Sequence, residues 1–319
     1  MIRFENNPII TRMDIPAINN RFRDVSSVFN PGAIRVGNEF ILLLRVQNRA
    51  RETMLLKAVS ADGKRFEVIP QEVKFHGLEP GELTFYHIYD PRITRLDGVY
   101  HVITAIDTDK GCFLGWFVTQ DFLNLHFQQL VSTTENRNGV LFPEKINGNY
   151  YRFDRPNATL LDNGVTTGNA ICCSASENLA DWTHQSVVMQ GRPHYWDELI
   201  GSGPPPIKTR QGWLHLYHGV ATHFASSNIY QAGVSLHPLE KPWEVTARGR
   251  YNILEPRESY ELTGQVPNVV FPSGAIALQV DSDGFATEDC AIYVYYGSAD
   301  TCVCLAITSI KELLEDVYA

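Results

Sequence analysis

Gly37-Asn-Glu-Phe-Ile-Leu-Leu-Leu-Arg45, Gly98-Val-Tyr-His-Val-Ile-Thr104, Gly148-Asn-Tyr-Tyr-Arg-Phe-Asp-Arg155, Gly212-Trp-Leu-His-Leu-Tyr-His218 and Ala291-Ile-Tyr-Val-Tyr-Tyr-Gly-Ser-Ala-Asp300 recur in order along the chain. Four begin at a turn glycine, and the fifth has Asp281-Ser-Asp-Gly284 a few residues upstream. Each alone is a β-strand, rich in aromatic and β-branched residues. Five at roughly regular spacing imply radial repetition around a shared centre. Most of the strands run toward a polar residue, and a propeller would deliver those residues to one axial pocket.

A second motif interleaves with the first. Phe66 follows Ser60-Ala-Asp-Gly63, Phe127 follows Thr119-Gln-Asp121, Trp182 follows Ser176-Glu-Asn178, and Trp243 follows Pro238-Leu-Glu-Lys-Pro242. These aromatics lie 61, 55 and 61 residues apart, which sets the length of one repeat. The polar turn supplies Asx-type hydrogen bonds, and the aromatic is expected to plug the layer between adjacent sheets. The fold class expected is all-β: a five-bladed β-propeller, one domain over residues 1–319, with a short C-terminal helix. That helix is read at Ser309-Ile-Lys-Glu-Leu-Leu-Glu-Asp316, where it could cap or latch the ring. A β-sandwich is the structural alternative, but it rarely needs so long a chain.

Composition limits the partners. The 27 basic against 36 acidic residues give a net charge of −9, which argues against nucleic acid or anionic membrane. No stretch approaches the run of about 18 apolar residues that a membrane span needs. The opening Met1-Ile-Arg-Phe-Glu-Asn-Asn-Pro8 has no long apolar core, so no secretory signal is expected. The cysteines Cys112, Cys172, Cys173, Cys290, Cys302 and Cys304 include no CxxC pair, so no metal site is expected. Buried free thiols suit a reducing cytoplasm.

Several residues carry candidate chemistry. Asp90, in Tyr89-Asp90-Pro91-Arg92, precedes a proline that is expected to hold it extended; a strand-entry Asp is otherwise a turn former. Arg137 and Arg155 lie on two neighbouring strands of one blade. Each could pair with a carboxylate, Asp154 or Glu144, as a structural salt bridge. Together with His218 they could instead form a cationic cradle for phosphate. His218 alone reads equally as a hydrogen-bonded core histidine.

Taken together, these motifs resemble glycoside hydrolase family 130, the mannoside phosphorylases and their hydrolytic relatives, from about Asn7 to Thr308. Ser27-Val-Phe-Asn30, the pair Arg45 and Arg51, Tyr89-Asp-Pro-Arg92, Asn136-Arg-Asn-Gly-Val-Leu-Phe-Pro143 and Arg155-Pro156 carry the resemblance. Ile200-Gly-Ser-Gly203, Tyr217-His-Gly219, Val266-Pro-Asn-Val269 and Gly297-Ser-Ala-Asp-Thr301 follow in the same order. The resemblance implies a five-bladed propeller that cleaves non-reducing-end β-mannosides with inorganic phosphate as co-substrate, by inversion, to give α-mannose 1-phosphate. It makes Asp90 the proton donor and assigns Arg137, Arg155, His218 and Tyr230 to phosphate. It assigns Asn30, Arg45, Arg51, Tyr89, Asn138 and Asp300 to the sugar. No organic cofactor is implied. Homo-oligomers occur among such proteins, but no segment here identifies an interface.

One departure keeps a second reading open. Many phosphorylases of this family carry Lys where this chain has Leu199, preceded by Asp197 and Glu198. An inverting β-mannosidase would use Glu198 or Asp197 to activate water. A non-catalytic sugar-binding propeller is a third reading. Tyr195, Trp196, His223 and Phe224 are candidate walls of the acceptor site.

Overall fold

The computed structural model describes residues 1–319 apart from 79–82, 162–163, 167 and 224–226. It is a five-bladed β-propeller of antiparallel sheets, arranged in chain order. Blade one runs from the axis outward as Val25–Val36, Glu39–Asn48, Thr53–Ser60 and Glu67–Glu72. Blade two is Phe85–Leu96, Val99–Thr108, Gly111–Thr119 and Asn124–Leu130, with Lys74–His76 added parallel at its rim. Blade three is Asn136–Leu141, Tyr150–Pro156, Ala170–Ser176 and Thr183–Gln190. Blade four is Leu199–Ser202, Gly212–Ala221, Ile229–His237 and Ala247–Arg248.

Blade five closes the ring. Its strands Val270–Ala277, Ala291–Ser298 and Cys302–Ser309 are completed by the N-terminal strand Ile2–Arg3, which pairs with Ile307 and Ala306. Arg3 also reaches buried Glu261, at 2.8 Å from both Nε and Nη2. Tyr296 Oη and the backbone N–H groups of Arg257 and Glu258 bond the same carboxylate. A buried charge so fully satisfied is tolerated. The latch is thus the N-terminal strand. The C-terminal helix Ile310–Tyr318 instead covers one seam of the ring, where its Ile310, Leu313 and Val317 pack on Leu214 and Val234 of blade four and Ile292 of blade five.

The five repeated segments are the second strand of each blade, not the innermost. Their glycines make the hairpin turns from the inner strand. Asp97-Gly98 and Asn147-Gly148 both have positive φ (51° and 79°, 50° and 84°). That is the geometry matching the right-handed twist of the paired strands, and Asn-Gly or Asp-Gly reaches it without steric penalty.

The hydrophobic core is divided into clusters between neighbouring blades. One lies between blades one and five, and others between one and two, two and three, three and four, and four and five. Each fully buried Leu or Phe there contributes roughly 1.5–3 kcal/mol. The expected plugs lie in these layers between blades. Phe66 meets Tyr295 edge-on at 5.7 Å, Trp243 meets Tyr151 at 5.4 Å, and Trp182 packs on the cluster between blades two and three. Phe127 packs on the cluster between blades one and two, with Phe117 of its own blade at 5.3 Å.

Candidate active site

Three inner strands reach the axis carrying one residue too many. Phe29 and Gly32 oppose Arg45 and Leu43, so three steps on the inner strand face two on its neighbour. Tyr89 and Arg92 oppose Ala105 and Ile103 in the same way, and Arg137 and Val140 oppose Arg155 and Phe153. The surplus residue makes a β-bulge, which re-aims side chains. Asn30, Asp90 and Asn138 sit in these bulges with φ of 45°, 52° and 54°. Asn and Asp are the non-glycine residues that best tolerate that left-handed backbone. The expectation that Pro91 holds Asp90 extended is therefore corrected: the bulge, not the proline, sets its direction.

All three bulge residues line one cavity of about 380 Å³ on the axis. Arg45, Tyr89, Arg137, Arg155, His218, Tyr230 and Asp300 line it too. Every residue that the resemblance assigned to the acid, the phosphate or the sugar, except Arg51, is thus brought to one place. Arg51 stands in the exposed turn behind, close enough for its charge to act on Asp300.

On one side the cavity presents Asp90. Its Oδ1 accepts from Arg45 Nη1 at 3.0 Å and from Asn30 Nδ2 at 3.1 Å. Both donors meet one oxygen, which leaves Oδ2 available to a substrate. Arg45 is itself clamped between the rings of Tyr89 (4.3 Å) and Phe29 (4.6 Å), so its direction is fixed by packing as well as charge. Asn30 rests on Gly297, where an added Cβ would meet Asn30 Oδ1 at 2.1 Å, so the glycine in Tyr-Gly-Ser-Ala-Asp300 makes room for it. Asp300, burial-destabilised and facing Asp90, has its carboxyl pushed up to about 6 against the pull of Arg45 and Arg51.

The opposite side is cationic. Arg137 and Arg155 are direct cross-strand partners, a like-charge pairing that is unfavourable in itself. Burial, and then Arg137, press the Arg155 guanidinium below its usual range. The Nε atoms of both arginines are buried without a hydrogen-bond partner, and so is His218 Nδ1. His218 is pushed well below its usual value by burial, then by Arg155 and Arg92, so it stands neutral and offers one N–H. It packs against Phe271 at 4.5 Å and Tyr230 at 6.1 Å between ring centroids.

The expected carboxylate partners go elsewhere. Asp154 pairs with Arg152 at 2.9 Å, and Glu144 with Lys208 at 2.7 Å. Among the described residues the acid paired with Arg137 is Asp107, at 3.9 Å, whose Oδ1 accepts from Tyr89 Oη at 2.9 Å. Guanidiniums set side by side, with so little compensation among the described residues, form a site that an anion would complete.

The family model described as beta-1,4-mannooligosaccharide phosphorylase matches residues 1–319. A beta-1,4-mannooligosaccharide phosphorylase of Ruminococcus albus is 32% identical, over 99% of this chain and 90% of its own length. The chain belongs to glycoside hydrolase family 130. A beta-1,2-mannobiose phosphorylase of Listeria innocua is 30% identical over 99% of this chain and 98% of its own. The solved complex of a Listeria innocua protein of that name with beta-1,2-mannobiose superposes with a TM-score of 0.83, covering 99% of this chain and 98% of that one.

Family membership leaves the individual side chains to be judged on their contacts. Asp197 is fully buried, and its carboxylate is held by Arg192 at 2.8 Å, Arg248 at 2.5 Å and Tyr217 Oη at 2.9 Å. Glu198 is bonded by the Thr222 hydroxyl. Neither lines the cavity, so the structure removes both from the role of water-activating base. Leu199 does not line it either. Tyr195 and Trp196 pack around Arg192 at 4.4 and 5.5 Å rather than walling the cavity. His223 is exposed and absent from the lining, and Phe224 lies outside the described residues.

Two residues of this family 130 site escaped the sequence reading. Asp107 lines the cavity, but only cross-strand pairing shows it beside Tyr89 and Arg137. Arg92 is fully buried; its Nε donates to the Gly203 carbonyl at 2.7 Å, and its Nη1 to the carbonyls of Asp90 (3.1 Å) and Pro91 (3.3 Å). It pins the Asp90 bulge from behind. Burial pushes that guanidinium down to about 10, with Asp90 opposing. The signal was present in Tyr89-Asp-Pro-Arg92, where the arginine stands two residues beyond the acid.

Proposed function

We propose that this protein is a mannoside phosphorylase. Inorganic phosphate attacks C1 of a non-reducing-end β-mannoside, with inversion, and α-mannose 1-phosphate leaves. Arg137, Arg155 and His218, with Tyr230, hold the phosphate; Asn30, Arg45, Tyr89, Asn138 and Asp300 hold the mannose, with Arg51 acting on Asp300 from behind. The observation that carries this reading is the cross-strand pair of guanidiniums facing Asp90 across one cavity.

The chemistry follows from charge. Inversion with water takes two carboxylates, one acid and one base. Phosphate is already an anionic nucleophile, so the acid suffices. The difficulty is to bring that anion to C1 alongside Asp90 and Asp300. Fixed guanidiniums neutralise it and set its line of approach, a positioning and electrostatic effect. Asp90 gives its proton to the leaving oxygen, directly or through a sugar hydroxyl. Asp300, its carboxyl raised to about 6 by burial, accepts from sugar hydroxyls when ionised.

Supporting a reducing cytoplasm, each of the six cysteines is free and buried. No described helix is long and apolar enough to cross a membrane. The two acids on which the hydrolytic alternative rested, Asp197 and Glu198, are engaged outside the cavity.

Incubation with β-1,2-, β-1,3- and β-1,4-mannobiose, with and without inorganic phosphate, tests the reading and identifies the linkage. Mannose 1-phosphate forms only when phosphate is present. Free mannose released at equal rate in phosphate-free buffer would overturn it.

A further inference from the structure

A second cavity of about 680 Å³, within the usual range for ligand pockets (~300–1,000 Å³), opens between blades two and three, away from the axis. Arg152 and Asp154 line it on the second strand of blade three, with Ser174, Trp182 and Thr133. Arg152 is only 2% exposed, its guanidinium stacked 4.3 Å from the centre of the Trp182 ring.

Hydrogen bonding there is half complete. Arg152 Nε and Nη2 donate to Asp154 Oδ2 at 3.0 and 2.9 Å, and Ser174 Oγ donates to the same oxygen at 3.3 Å. Arg152 Nη1 is buried and has no partner among the described residues. Among the described residues every bond to Asp154 ends on Oδ2, which leaves Oδ1 unused. Nothing in the proposed catalysis employs this pair. A buried donor left unpaired costs about 1–3 kcal/mol, so a built site of this kind calls for an occupant.

We propose that this cleft is a second, non-catalytic binding site for a neutral sugar presenting vicinal hydroxyls. The ion pair is neutral overall, and Asp181 at the rim adds negative charge, so an inorganic anion is disfavoured. A guanidinium N–H beside a carboxylate oxygen instead matches two adjacent hydroxyls. One accepts from Arg152 Nη1 while the other donates to Asp154 Oδ1. Ser174 and Thr133 supply further hydroxyls, and Trp182 an apolar surface. The assignment is independent of the activity proposed above.

The site also touches the axial one. Asn136 lines the cleft, and its Oδ1 accepts from the backbone N–H of Arg155 at 3.0 Å. Bound sugar would therefore lie one side chain from the cationic cradle.

Trp182 is the reporter. In phosphate-free buffer, β-1,4-mannobiose titrated into the full chain should shift the Trp182 indole N–H resonance saturably, the resonance being identified by its loss in Trp182→Phe. Asp300→Asn, which acts on the axial cavity, leaves that shift in place. The double variant Arg152→Met/Asp154→Leu replaces the buried pair with apolar groups of similar size, a change folded proteins often accept. It should abolish the shift while turnover of short substrates is retained. Thr133→Trp, at an exposed position on the rim, should abolish it by filling the mouth, and serves if the double variant does not fold. An unmoved Trp182 resonance in the native chain overturns the proposal. So does a shift that survives in both a folded double variant and Thr133→Trp, or one that inorganic phosphate reproduces.

Discussion

Two arginine clusters in this propeller use the same side chains to opposite ends. Around Asp197, beside blade four, two guanidiniums and a phenol converge on one buried carboxylate, which is fully engaged within the fold. On the axis, Arg137 and Arg155 face each other across a strand pair, and among the described residues the acid paired with them is Asp107, 3.9 Å from Arg137. The first arrangement leaves nothing for a ligand to do. The second is unfinished. Internal compensation marks an arginine as structural, and its absence in a buried cavity marks one as functional.

That contrast is sharpest if removal of each cluster's key residue moves a different observable. Asp197→Ala leaves two guanidiniums without their carboxylate and should cost about 3–5 kcal/mol of stability, read as a large fall in denaturant midpoint. A midpoint within error of the parent would mean the Asp197 cluster is not the structural one. Asp90→Asn should do the reverse: a loss of roughly 10²-fold or more in phosphate-dependent cleavage, with the unfolding midpoint unchanged.

Arg155→Met relieves the like-charge pair. Its expected signature is a raised KM for phosphate, at least about tenfold for one charge-assisted contact, with no loss of thermal stability. An unchanged phosphate KM removes Arg155 from the cradle.

Smaller effects appear with pH, and two groups of opposite sign separate. Burial holds His215 and His218 well below their usual values and His237 down at about 4, so the unfolded chain binds their protons first. Stability is therefore fully present above about pH 6.5 and falls as pH drops toward 4, by up to about 1.4 kcal/mol per pH unit for each histidine. Asp300 runs the other way. Its carboxyl, raised to about 6, contributes stability below the ordinary range near 4 that is lost as pH rises through 6. Asp300→Asn should accordingly unfold at a slightly higher temperature at pH 7 while its KM for the mannoside rises. A midpoint that falls instead would show that the ionised carboxylate is stabilising.

Much of this was legible in the residues. Turn glycines before aromatic strands gave the blade count, because a two-residue hairpin leaves a local chemical signature. The interleaved Phe66, Trp182 and Trp243 marked the blade interfaces. Asp90, Arg137, Arg155 and His218 were legible through motifs in their order. Asp107 and Arg92 were not singled out, since each acts through partners distant in sequence: Asp107 through Arg137, Arg92 through Gly203.

The chain alone thus determined the repeat, the turns and the cast of candidate side chains, all of which follow from neighbours a few residues apart. Tertiary structure decided which carboxylates were already spent. Asp154 and Glu144 read as partners for Arg137 or Arg155 and Asp197 as a candidate base, and each is bound instead to another cation brought up by folding. It also turned Asp90 out of the extended path expected of it. Charge pairing and bulge geometry depend on what lies across space, and a linear order of residues carries that only indirectly.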